Sequence, residues 1–218
     1  MENYLSTTPY FDFDSEFVRQ YGEKLVGSET DPVEVAIRLY LGVRDDIRYN
    51  AYTFEVTPES FSSSYCLEQG ESYCVPKAVL LGALCRLYAI PARLGLADVR
   101  NHLASPQFLE HLKSDIFVMH GYTDIYLEGK WVKATPAFDS GLCRLMKLKP
   151  LEFNGREDSI FHEFDNAGDR HMEYLADHGH FADVPRQKIL DSVAAAYPHL
   201  TEEFVSKSER SLFEDMQD

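Results

Sequence analysis

Between Asp31 and Ile47 the apolar residues of "DPVEVAIRLYLGVRDDI" recur at three- and four-residue steps, the spacing that gathers them on one face of a helix. Asp31 can cap this helix, and Pro32 suits its first position because its fixed φ and missing N–H cost nothing there. A shorter helix is predicted over about Ser15 to Leu25, behind an extended arm formed by residues 1–14. From Tyr49 to Tyr73 the pattern lapses into the turn formers of "TPESFSSS" and "EQGES", which predicts loop.

The pattern resumes in "GESYCVPKAVLLGALCRLYAIPAR", residues Gly70 to Arg93. Pro76 is tolerated only in a first helical turn, so Cys74 stands at or next to the N-cap of a helix running over roughly Val75 to Tyr88. Ala78, Leu81, Leu84, Cys85 and Tyr88 mark its expected buried stripe. "IPARLGLADV" then reads as a strand, and "RNHLASPQFLEHLKSD" as a polar segment with a short helix. "FVMHGYTDIYLEGKWVKATPAF" alternates as two strands around a turn at Glu128-Gly129. Residues Leu151 to His180 are rich in Gly, Asp and His. Two helices, about Pro185–Ala196 and Thr201–Met216, close the chain. Helices first and strands later predict an α+β fold.

At 218 residues the chain is expected to form a single domain, 1–218. A formal charge of −15 argues against nucleic acid or an anionic membrane surface as partner, because both reward clustered Lys and Arg. No apolar run reaches the ~18 residues of a membrane span, and "MENYLSTTPYFDFDSEF" lacks the basic and apolar regions of a secretory signal. Cys66, Cys74, Cys85 and Cys143 show no CxxC spacing; they read as reduced thiols of a cytoplasmic protein.

One of these thiols invites chemistry. A helix N-terminus offers unpaired N–H groups and a positive dipole end, which favour a thiolate at Cys74 and an oxyanion beside it. Such a nucleophile needs a base and a group to orient that base. His120 is the candidate base. With a two-residue turn Leu127 faces Lys130, His120 falls opposite Ala137, and Thr135 and Asp139 become its diagonal neighbours, ~7–8 Å away between Cα atoms. A bulge in the turn would move both to the other face.

The cysteine opening a helix, then "RLYAIPARLG", then "HGYTDIYLEGKWVKATP", resembles the transglutaminase-like superfamily of papain-type cysteine enzymes, most strongly over Asp31 to Asp139. The resemblance implies a transglutaminase/papain-like core, with N-terminal helices and the nucleophile at a helix N-terminus packed on an antiparallel β-sheet. It implies a Cys–His–Asp triad and a thioester intermediate acting on amides or peptides, with no cofactor; members include cross-linking enzymes, amidases and peptidases. Cys74 matches the nucleophile and His120 the base, with Tyr122 as the aromatic that follows the histidine. The family's Asp usually stands four residues after the hairpin tryptophan, in a "DPT" context; after Trp131 that place holds Thr135. Asp139, a carboxylate of the same parity, is therefore the expected orienter and Thr135 a secondary contact. The expected activity is hydrolysis in preference to cross-linking, on a peptide or amide substrate. A degenerate family member kept as a binding module is the alternative that Thr135 motivates.

A lone cysteine before an apolar helix is more often core than nucleophile. The family spacing reverses this for Cys74 and leaves Cys66, Cys85 and Cys143 as structural thiols. His162, His171, His178 and His180, with Glu163, Asp165 and Asp169, fit neither H-E-x-x-H nor an EF-hand loop, so no metal site is expected and they read as a loop network or a solvated surface. "DVRNHL", Asp98 to Leu103, leaves a strand near the expected site, where it could contact substrate or satisfy loop backbone.

Overall fold

The computed structural model describes residues 1–102, 104–160 and 172–200. Helices α1 (Glu16–Val26) and α2 (Pro32–Asp46) lie where the apolar spacing places them. The Asp31 carboxylate accepts the Val33 and Glu34 N–H groups at 3.0 and 3.1 Å, the cap read from sequence. The expected loop from Tyr49 onward is more ordered than its composition suggests. After β1 (Arg48–Tyr49) come two short 3-10 turns and α3 (Ser63–Gln69), then β2 (Glu71–Ser72), which pairs with β1 in parallel. The Ser62 hydroxyl caps α3 by accepting Tyr65 N–H, and Gly70, at φ 67°, ends it in the left-handed conformation.

Helix α4 (Cys74–Leu87) is the centre of the molecule. Every residue from Cys74 to Arg86 is buried, so the expected single stripe is instead an apolar surface on all sides. α1, α2 and α3 pack on it, and so do the strands β3 (Ala92–Asn101) and β4 (Ile116–Leu127). Two cations are buried on α4. Lys77 Nζ donates to the Arg44 carbonyl at 3.0 Å and to that of Ile47, at the end of α2 where carbonyls run out of intrahelical partners. Arg86 stacks its guanidinium 3.7 Å from the Phe11 ring centroid and donates to the carbonyls of Ser6, Ala92 and Ala182.

The remaining elements are α5 (Pro106–Leu112), β5 (Lys130–Ala134), α6 (Ser140–Leu145), β6 (Met172–Phe181) and α7 (Arg186–Ala196). The sheet has the order β5-β4-β3-β6, antiparallel throughout. This is the expected α+β arrangement of helices on an antiparallel sheet. Strand β6 lies inside the Gly-, Asp- and His-rich stretch where no strand was expected. The helix expected over Thr201–Met216 lies outside the described residues. Among the described residues no helix is long and apolar enough to cross a membrane.

The hairpin has the expected register, with Leu127 facing Lys130 and Thr123 facing Ala134. Its turn residues are both left-handed, Glu128 at φ 48° and Gly129 at φ 85°. β5 stops at Ala134, short of Pro136, whose missing N–H cannot extend a ladder. The expected strand position of Asp139, diagonal to His120, therefore does not form; Asp139 is instead the N-cap of α6. On its other edge β4 carries a bulge. Ala97 faces His120 and Val99 faces Phe117, so Val118 and Met119 together oppose Asp98.

Candidate active site

Cys74 is the first residue of α4, and the extended backbone of Tyr73 delivers it there. The N–H groups of Gly121 and Val75 converge on its sulfur. Gly121 makes this possible: a Cβ there would stand 2.8 Å from Val75 Cα, so only a glycine lets β4 come this close to the start of the helix. A helix turn and a strand thus share one small space around the thiol.

Cys74 and His120 line the same cavity, which encloses about 790 Å³ including its open mouth. Its walls carry the aromatic rings of Tyr49, Tyr52, Phe54, Tyr73, Phe108, Phe117 and Tyr197, with aliphatic side chains from α5 and α7. His111 is the second histidine on the wall. No Asp, Glu, Lys or Arg lines it among the described residues, in a chain of formal charge −15. His120 also lines a smaller cavity of about 380 Å³, together with Asn101, Phe138 and Met172.

Burial sets the protonation of this pair. Desolvation pushes the Cys74 thiol up to about 11, against the pull of the Gly121 and Val75 N–H groups. Desolvation also pushes the His120 imidazole down to about 4. At neutral pH the pair is thiol and neutral imidazole. The helix dipole was expected to favour a resting thiolate at Cys74; here burial outweighs it.

Asp139 has other partners. Its Oδ2 accepts Tyr49 N–H and its Oδ1 accepts Leu142 N–H, both at 2.9 Å, so the carboxylate ties β1 to the start of α6. It is also the carboxylate that most favours the charged form of buried Lys77. Thr135 donates its N–H to the Ser159 carbonyl at 3.0 Å and its own carbonyl accepts the Tyr40 hydroxyl at 3.2 Å. The Thr135 hydroxyl is buried with no hydrogen-bond partner among the described residues.

Sequence reasoning missed Tyr73. Tyr73 lines the cavity, and its hydroxyl is buried, again without a hydrogen-bond partner among the described residues. The signal was available, since Tyr73 directly precedes Cys74. Tyr49 and Tyr197, which share the wall, come from β1 and from the residue after α7, and no local pattern announces them. Of the histidines near the chain's end, His178 Nε2 meets Asp98 Oδ1 at 2.8 Å. His180 Nε2 lies 3.2 Å from the Tyr122 hydroxyl and 3.3 Å from Asp124, whose carboxylate also pairs with Arg93. His162, His171, Glu163, Asp165 and Asp169 lie outside the described residues. Cys66, Cys85 and Cys143 are buried free thiols.

Residues 19–136, more than half of the chain, match the family model of the transglutaminase-like superfamily. Among solved structures the chain is similar to a candidate cysteine protease from Cytophaga hutchinsonii, at 17% identity and a TM-score of 0.48, over 81% of this chain and 52% of that one. It is also similar to the arylamine N-acetyltransferase from Mycobacterium abscessus, at 16% identity and a TM-score of 0.42, over 61% of this chain and 46% of that one. The chain thus spans about half the length of these two structures. No curated protein matches it.

Proposed function

The chain belongs to the transglutaminase-like superfamily, and on that premise we propose that it is a cysteine-dependent amide or peptide hydrolase or acyl transferase. Cys74 is the nucleophile and His120 its base. The observation that carries this reading is the convergence of the Val75 and Gly121 N–H groups on the Cys74 sulfur, in a cavity whose wall also holds His120. The uncharged lining favours a substrate with an uncharged, apolar group beside the scissile carbonyl.

The reaction starts from the neutral pair. As Sγ bonds to the carbonyl carbon, the thiol proton passes to His120, and the oxyanion meets the N–H groups at the start of α4. His120 then returns that proton to the departing amine, the C–N bond breaks, and a thioester remains on Cys74. Water or a second amine attacks the thioester, yields a proton to His120, and releases the product acid or amide with the thiol restored. The free Tyr73 hydroxyl supplies a hydrogen bond to a polar group of the substrate. Asp139 enters as the carboxylate that steadies His120 when it is protonated; each of its oxygens holds one backbone N–H and keeps a second lone pair.

p-Nitrophenyl acetate tests the reading. The parent should release p-nitrophenolate and carry acetyl on Cys74 by mass spectrometry, while Cys74→Ser should lose this reaction and His120→Ala should slow it by about a hundredfold or more. Acetylation spread evenly over the four cysteines, or none at all, rejects the enzyme. That outcome would favour the second reading, a family member kept as a binding module, which the capping role of Asp139 and the threonine at position 135 support.

A further inference from the structure

Along a regular strand successive side chains alternate between faces. Yet Phe117, Val118, Met119 and His120 all line the cavity that holds Cys74. The bulge opposite Asp98 makes this possible, and a bulge leaves N–H groups that the ladder no longer pairs. Side chains supply the missing acceptors. Val118 N–H donates to the Tyr197 hydroxyl at 3.0 Å, and that hydroxyl donates to the Ile116 carbonyl at 2.7 Å. Met119 N–H donates to Asp98 Oδ1 at 3.0 Å. The same oxygen lies 2.8 Å from His178 Nε2. His178 is itself the extra residue of a second bulge, for Leu96 faces Gly179 while Ala97 faces Asp177.

Met119 is held at φ 56°, in the left-handed region, directly before His120. Methionine has no local hydrogen bond to favour that conformation, so the surroundings must impose it. The only side chain bonded to its N–H is that of Asp98 among the described residues.

We propose that Asp98, steadied by His178, is a positioning residue for His120: by accepting Met119 N–H it fixes the left-handed backbone that presents the imidazole to the Cys74 cavity. Asp98 touches none of the reacting atoms. The inference rests on the reading of Cys74 and His120 as the reacting pair, and it gives Asp98, the first residue of "DVRNHL", a backbone-satisfying role with a functional consequence.

Acetylation of Cys74 by p-nitrophenyl acetate is compared in the parent, Asp98→Ala, Asp98→Asn, His120→Ala and the His120→Ala/Asp98→Ala double variant, alongside NMR titration of the His120 ring. Asp98→Ala should slow acetylation by about tenfold or more, a part of what a general base contributes. Asp98→Asn keeps the Oδ1 acceptor and should stay within about threefold of the parent. In the His120→Ala background the Asp98 change should alter the rate by less than about twofold, because its effect passes through the imidazole. His120 should titrate near 4 in the parent and in Asp98→Asn, and nearer its ordinary value in Asp98→Ala. Positioning is overturned if Asp98→Ala matches the parent, if asparagine fares as badly as alanine, or if the loss is equal without His120. Should the parent fail to acetylate at Cys74, the enzyme reading falls, and the titration still decides the positioning: an unmoved His120 in Asp98→Ala rejects it.

Discussion

Replacing Tyr73 with phenylalanine removes one oxygen atom and should push stability and activity in opposite directions. The Tyr73 ring is 7% exposed and packs edge-on against Phe54 at 5.3 Å between centroids, contacts that phenylalanine preserves. Its hydroxyl is buried without a hydrogen-bond partner among the described residues, an arrangement that costs about 1–3 kcal/mol. Tyr73→Phe should therefore stabilise the protein by about 1–2 kcal/mol, where removing a hydrogen-bonded tyrosine hydroxyl would lose about 1 kcal/mol. In a chain of this length that is a rise in melting temperature of about 2–8 °C. In the proposed reaction the same hydroxyl donates to the substrate, so kcat/KM for an amide substrate should fall by about tenfold, the value of one hydrogen bond of ~1.4 kcal/mol. Calorimetry and steady-state kinetics on the purified variant read the two effects separately. A lower melting temperature would show that the hydroxyl has a partner after all, and the reasoning would fail. A higher melting temperature with unchanged kinetics would leave the hydroxyl as a cost with no catalytic return.

Three further outcomes follow from the site and its surroundings. With His120 held down at about 4, the acid limb of kcat/KM should lie near 4 and the rate should be flat through neutrality; Cys74 alkylation should climb towards its value of about 11, and an acid limb between about 6 and 7 would contradict the neutral pair. Gly121→Ala would set a Cβ 2.8 Å from Val75 Cα, backbone against backbone, and should cost about 1–3 kcal/mol in urea unfolding while cutting Cys74 acetylation by more than about tenfold; a variant as stable and as reactive as the parent would refute the close approach. Burial raises the Cys85 thiol to about 12 in the folded state, so its contribution is complete below the unfolded value of about 8.5 and is lost as pH rises towards 12. Stability of the parent should accordingly fall faster between about pH 9 and 11 than that of Cys85→Ala, by up to ~1.4 kcal/mol per pH unit, and parallel curves would refute the shift.

The parts of the fold legible in sequence are those whose causes are local. Asp31 and Pro32 announce α2, Pro76 fixes where α4 can begin, and Glu128-Gly129 sets the hairpin register. What sequence reading missed has distant causes. β6 is a polar edge strand that exposes Tyr174 and Leu175, so it shows no alternation between a core face and a wet one. The bulge at Val118 and Met119 is held by Asp98, some twenty residues earlier, and by Tyr197, some eighty later. The expected place of Asp139 failed for a nearer reason: Pro136 stops β5, and the freed carboxylate finds the N–H groups of Tyr49 and Leu142 instead. The resting charge of the Cys74–His120 pair was equally hidden, because it depends on how much of the whole fold closes over the two groups.

The Arg86 clamp has a bearing on the order in which a nascent chain can assemble. Its guanidinium needs carbonyls from Ser6, Ala92 and Ala182, and burying it with any of them absent would strand donors away from water. The first and second of these emerge well before the third, which follows the second by 90 residues. Until then the far end of α4 has to stay wet, and the helix that begins with Cys74 cannot settle into its final packing. The nucleophile's own element therefore waits until residue 182 has been made, and a truncated chain that stops before it carries the thiol without the finished cavity around it.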